Sequence, residues 1–367
     1  MKRNLLALAV GVAFVLPLTA QAAPTVYGRL NLSVDYMDID EGTTTDGSWN
    51  LNSNSSRFGI KGNEKLTDEF TAVYKAEWEI QGDTEEANDL NARERYIGLK
   101  HYQLGTVRLG NIDSPFKNAE DSVDVFNDHV NLDMQNYIYG QNRLGNSINY
   151  VSPKFLDVFG ANVSFIPGER NSTPLVGDTT ATPPVVGCED PSAAGSSGAA
   201  IAIAAGCNEN HISDGVSAAF SYEDDSLYLG VALDKEVADW DAVRVNARYK
   251  ISDLTASVMY QTAEQSFGAS NEQEAIVLSA MYDIGSWTLR GQYLQSNQET
   301  DFGLADTSIG YEVNSQVNTV LVGGGIDYNF TKTTKVFGNL ASVTEDDKDG
   351  GADTKGFLVG AGMETRF

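Results

Sequence analysis

The chain has 367 residues, 51 of them acidic and 25 basic, for a formal net charge of −26. That balance argues against nucleic acid as a partner, since its phosphates call for basic surfaces. Two cysteines and three histidines offer little material for a metal centre, and neither metal nor cofactor is expected.

The chain opens with Lys2 and Arg3, an apolar run of 14 residues from Leu5 to Leu18, and then Ala20-Gln21-Ala22, which fits a cleavage site. The run is short of the roughly 20 residues a spanning helix needs. Residues 1–22 are therefore expected to be a cleaved export signal, followed by one domain over 23–367 with a net charge of about −28.

From Val26 to Phe367 segments of about ten residues alternate apolar and polar. The first, 25–38, puts Val26, Leu30, Leu32, Val34 and Tyr36 on one face, leaving Arg29, Asn31, Ser33 and Asp35 on the other. In 56–66, Phe58 and Ile60 oppose Arg57 and Lys61. After 70–81, segment 92–102 is read with Tyr96 on the apolar side, which turns Arg93 and Arg95 the other way. Segment 105–113 sets Arg108 opposite Val107 and Leu109. The early strands thus gather cations on one face.

A long connection, 114–145, follows. It begins Ser114-Pro115-Phe116 and holds Glu120, Asp121, Asp124, Asp128 and Asp133, with Val123, Val125 and Phe126 interleaved. A connection of this length without a strand of its own is usually functional. Strands are then expected over 146–155 and 161–167, and a second long connection over 168–213. The only cysteines, Cys188 and Cys207, lie in that connection and are expected to pair, closing a loop worth roughly 3 kcal/mol in an exported protein.

The remaining segments are 214–223, 226–236, 242–251, 254–265, 274–284, 287–297, 317–330, 332–345 and 354–367, which makes sixteen. Gly323-Gly324-Gly325 falls inside one of them with no helix after it, so it is read as close strand packing and not as a phosphate loop. Short turns such as Thr67-Asp68 and Ser252-Asp253 alternate with longer loops at 39–55, 114–145, 168–213 and 298–316. Sandwich strands usually have about five or six residues; these are long enough to cross a bilayer at a tilt. The pattern predicts an all-β, sixteen-stranded antiparallel transmembrane barrel with short periplasmic turns and long external loops. A barrel of that width encloses water, and 114–145 folded inward would set carboxylates across from the arginines, a charged gap of the kind that discriminates between ions.

Several motifs resemble the general porins of Gram-negative outer membranes. They are Val26-Tyr27-Gly28-Arg29-Leu30, Ser56-Arg57-Phe58-Gly59-Ile60-Lys61-Gly62, Arg95-Tyr96-Ile97-Gly98-Leu99, Arg108-Leu109-Gly110-Asn111, Asn142-Arg143-Leu144 and the terminal Phe367, in that order over nearly the whole exported length. The resemblance implies a homotrimer in outer-membrane lipid and lipopolysaccharide, inserted by the barrel-assembly machinery with Phe367 as part of the signal. It also implies an eyelet. The basic wall would comprise Arg29, Arg57, Lys61, Arg93, Arg95, Arg108 and Arg143, and the acidic side would lie among Asp113, Glu120, Asp121 and Asp124. Ser114-Pro115-Phe116-Lys117 departs from the Pro-Glu-Phe-Gly run common in enterobacterial members, which leaves the acidic partners open.

The function expected is passive diffusion of ions and small hydrophilic solutes; a channel selective for anions, phosphate or sugars is the alternative. The arginines lean toward anions and the net charge toward cations, so the preference stays open. An outer-membrane enzyme is the rival class, but His101, His129 and His211 stand in no catalytic signature.

Overall fold

The computed structural model describes residues 23–40, 45–84, 90–167, 214–266, 270–301, 314–348 and 353–367. The expected signal at 1–22, His211, and Cys188 with Cys207 lie outside the described residues. Among the described residues seventeen strand segments form one antiparallel sheet. They are β1 (Thr25–Asp40), β2 (Thr45–Ser53), β3 (Arg57–Lys65), β4 (Phe70–Ile80), β5 (Leu90–His101), β6 (Gly105–Asp113), β7 (Arg143–Val151), β8 (Phe159–Ile166), β9 (Gly215–Glu223), β10 (Leu227–Val237), β11 (Trp240–Ile251), β12 (Leu254–Gln265), β13 (Ser270–Ile284), β14 (Trp287–Asp301), β15 (Asn314–Asn329), β16 (Thr334–Asp347) and β17 (Thr354–Arg366).

Consecutive segments pair with one another, except that β2 and β3 both lie along β1, and β17 pairs with β1, so the sheet closes on itself. The seal extends to the last residue, where Phe367 N–H donates to Gly28 O at 3.1 Å and Gly28 N–H to Phe367 O at 2.9 Å. A closed sheet leaves no unpaired edge in lipid.

Seventeen segments make sixteen barrel strands. β1 pairs with both β2 and β3, and the register slips by one residue between Leu32↔Ser53 and Arg29↔Arg57. β2 and β3 are therefore two halves of one strand interrupted at Asn54–Ser56, where Ser55 takes a positive φ of 49°. This corrects the expectation of a loop at 39–55, since residues 45–53 continue the wall. Asn50, Asn52 and Gly47 dilute the alternation there, and pairing with β1 overrides that weak local preference.

The wall turns its apolar side outward, as lipid requires. Val26, Leu30 and Val34 are exposed, whereas Arg29, Asn31, Ser33 and Asp35 are buried. The last strand behaves alike: Phe357, Val359 and Met363 face out, and Leu358 and Glu364 are buried.

One strand departs from the expected parity. Ala76 pairs with Arg95 and Trp78 with Ala92, so Arg93 and Glu94 together oppose Glu77 in a β-bulge. The extra residue shifts everything after it to the opposite face. Arg95 shares a cross-strand row with Ala76 and Ile60, and Ile97, two residues on, is 64 % exposed. Arg95 therefore lies on the outer face and Tyr96 on the inner one, the reverse of the expectation from uninterrupted alternation. Arg93 stays inward.

Residues 114–142 return as irregular chain with two short helices, α1 (Pro115–Asn118) and a 3-10 turn (Met134–Asn136). Ser114 caps α1, its hydroxyl accepting from Lys117 N–H, with Pro115 at the first helical position. This segment supplies a dry core. Val123, Phe126, Leu132, Met134 and Ile138 pack with Met259, Val277, Leu294, Leu321 and Leu358 of the wall. Burial of such side chains stabilises by roughly 1.5–3 kcal/mol apiece, which fixes the segment against β12–β17. The glycines of β15 make room: a Cβ at Gly323 would stand 2.8 Å from the Phe126 ring.

Candidate functional site

The site is built where the tip of the 114–142 segment meets β1, β3 and β5. Inward parity and the bulge bring Arg29, Arg57 and Arg93 together, and one carboxylate reaches all three. Asp128 lies 2.8 Å from Arg29, 3.2 Å from Arg57 and 4.0 Å from Arg93. Asp128 has a positive φ of 70°, a conformation that Asp tolerates better than most residues, and its N–H donates to Asp133. Three guanidinium groups hold its carboxyl well below the usual range, against the effect of burial.

The cations are themselves restrained. Arg29 also donates to the carbonyls of Asn54 and Ser55, so the break between β2 and β3 supplies its acceptors. Arg93 pairs with Glu77 at 2.8 Å and Glu79 at 3.0 Å. Lys75 pairs with Glu94 at 2.6 Å and Glu77 at 3.3 Å, and Tyr27 donates its hydroxyl to Glu77. Fixed pairs of this kind hold the charges in place.

The other expected site residues lie elsewhere in the lumen. Arg143 and Asp113 are cross-strand partners and pair with each other at 2.7 Å. Glu120 faces Arg244 at 3.5 Å and accepts from Gln141; burial outweighs the arginine and pushes its carboxyl up to about 7. Asp121 meets Arg248 at 2.6 Å. Asp124 turns inward to accept from Phe126 N–H and Met134 N–H, and burial beside Asp133 raises its pKa well above the usual range. None of these four carboxylates contacts the cluster of Arg29, Arg57 and Arg93. Arg108 is held by Asn149, and the Lys61 ammonium stands 4.8 Å over the Tyr27 ring.

Sequence reasoning missed the clamps on the far wall. Arg244, fully buried, donates to Phe116 O and Tyr139 O. Asn246 donates to Ala119 O, Arg290 to Val125 O, and Gln292 accepts from Val125 N–H. These polar side chains share the inward parity of β11 and β14, which was the available signal. The segment is thereby tied to β11 and β14 on one side and, through Asp128, to the arginines of β1 and β3 on the other.

Comparison with known proteins agrees with this architecture. A family profile described as Gram-negative porin matches residues 7–348. The major outer membrane protein P.IB of Neisseria sicca is 24 % identical over 388 residues, covering all of both chains. Outer membrane porin protein 32 of Delftia acidovorans is 30 % identical over 165 residues, which is 42 % of this chain and 47 % of the relative. Among solved structures, the anion-selective porin from Comamonas acidovorans superposes with a TM-score of 0.67 at 20 % identity, covering 94 % of this chain and 99 % of that one. Salmonella typhi OmpF gives 0.62 at 15 %, covering 94 % and 97 %. A closed sixteen-stranded wall, a polar lumen and a family match over nearly the whole length lead to one conclusion: the chain belongs to the Gram-negative porins and forms a channel across the outer membrane.

Proposed function

We propose that residues 114–142 and the wall of β1, β3, β5 and β6 act as an eyelet for passive diffusion, with a modest preference for anions and no covalent chemistry. The observation that carries the preference is a charge balance on this wall, at the gap between it and the segment and just below that gap. Asp113, Glu77, Glu79, Glu94 and Asp128 all engage cations, whereas among the described residues no carboxylate lies within ion-pair reach of Lys61, Arg108 or Lys117. Salt screens the chain's more distant acidic charge within about 10 Å, so the local balance decides. The name of the Comamonas relative as anion-selective is in keeping with this reading.

We also propose an exported precursor with a signal at 1–22, and a homotrimer in lipid and lipopolysaccharide. Arg95 supports the trimer. A cation on the lipid face costs about 2–4 kcal/mol at the midplane, and a neighbouring copy covering it would relieve that cost.

The test is the reversal potential of the purified protein in a planar bilayer under a KCl gradient. A chloride-favouring sign is expected. A potassium-favouring potential would sink the charge-balance argument.

A further inference from the structure

Lys61, Lys100 and Arg108 belong to the lumen but not to the Asp128 cluster. Cross-strand partners share a face, so the pairs Lys61↔Lys75, Lys75↔Tyr96, Gly98↔Arg108 and Lys100↔Thr106 lay these cations and Tyr96 on one stretch of inner wall from β3 to β6. The stretch lies toward the short-turn end, below the gap.

Arg108 is held in an unusual way. Its Nε and Nη2 donate to Asn149 Oδ1 at 2.9 and 2.7 Å, and its guanidinium stands 5.1 Å over the Tyr96 ring. Asn149 is fully buried and fixed in turn by Asn162, Val163 O and Ser164. Gly98 lets the side chain run along the wall, because a Cβ there would stand 3.0 Å from Arg108 Cγ and 2.6 Å from Val107 O. A neutral amide thus positions the guanidinium without cancelling its charge, and a planar guanidinium backed by an aromatic ring offers a flat face for stacking. Lys100 and Lys61 are both exposed to the lumen, and among the described residues neither has a carboxylate partner.

We propose that this wall is a binding station for aromatic carboxylates, which rests on the reading of the barrel as a diffusive channel. The ring of the solute lies against the Tyr96 and Arg108 stack, and its carboxylate takes the free edge of Arg108 with Lys100. Lys61 over Tyr27 extends the track toward the gap. Aliphatic carboxylates find the charge but not the stack.

The test is single-channel current in KCl with added benzoate or acetate. Benzoate is expected to lower the current at concentrations where acetate does not. Arg108→Gln and Lys100→Gln are each expected to raise the half-blocking concentration about tenfold, the worth of one charge-assisted contact. Lys100→Gln alters an exposed side chain and serves should Arg108→Gln not assemble. Equal effects of benzoate and acetate, or a benzoate block unchanged in Lys100→Gln and in any assembled Arg108→Gln channel, would overturn the proposal. A parent protein without KCl conductance would instead refute the channel reading itself.

Discussion

Replacing Asp128 with Asn removes the carboxylate shared by Arg29, Arg57 and Arg93 while keeping the side chain's shape. The substitution leaves three guanidinium groups, two of them within 3.2 Å of the former oxygens, with one negative charge fewer. A unit charge about 4 Å from a passing ion contributes about 1 kcal/mol in bulk-like water. The lumen is wet and the distance is shorter than the Debye length, so most of that survives at about 0.1 M salt. An ion held at 5–6 Å by its own hydration would feel somewhat less, about 0.7 kcal/mol. Chloride entry should then rise about threefold and potassium entry fall by a similar factor, moving the permeability ratio by up to about tenfold toward chloride. Reversal potentials in a KCl gradient read that ratio directly. Detachment of the tip is a competing effect, because Asp128 also ties the 114–142 segment to the wall; it would enlarge conductance and dilute selectivity. A variant whose potential moves toward potassium, or does not move at unchanged conductance, would refute the assignment of Asp128 as the acid of the gap.

Arg93→Ser should shift the reversal potential toward cations, whereas Arg95→Ser should leave it unchanged, since the bulge sends Arg95 outward; equal shifts from both would contradict the register at Ala76 and Trp78. Phe116→Ala empties a fully buried site between Arg244 and Tyr139. It should destabilise the docked segment by about 3–5 kcal/mol, visible as added open-channel noise. Glu120 binds its proton more tightly when docked, with a pKa of about 7 against an ordinary 4.5. Its contribution to docking is therefore full below pH 4.5 and is lost as the pH rises through 7, on the order of 3 kcal/mol across that window. Glu120→Gln should flatten the dependence of the melting temperature on pH between 4.5 and 7; an unchanged slope would place the titration elsewhere.

Much of the wall was legible because lipid outside and water inside impose a period of two on every strand. Val26 to Asp35 could be assigned residue by residue, and the count of sixteen survived even though residues 45–53 were read as loop. Periodicity failed where an extra residue entered the ladder. Nothing in Arg93-Glu94-Arg95 announces a bulge, which is created by the pairing of β5 with β4 and decides that Arg93 faces the lumen and Arg95 does not.

In the 114–142 segment no period exists to follow. The sequence supplied a pool of carboxylates, and Asp128 was among them, but the choice between it and Asp113, Glu120, Asp121 or Asp124 depends on where the backbone is anchored. That anchoring is made by Arg244, Asn246, Arg290 and Gln292 on distant strands, together with the dry contacts of Phe126 and Leu132. The amino-acid order by itself determined a lipid-spanning, closed, water-filled barrel, since alternation is a local property. Which charges meet across the lumen was decided only by tertiary structure, because it depends on contacts between residues 165 and 167 positions apart.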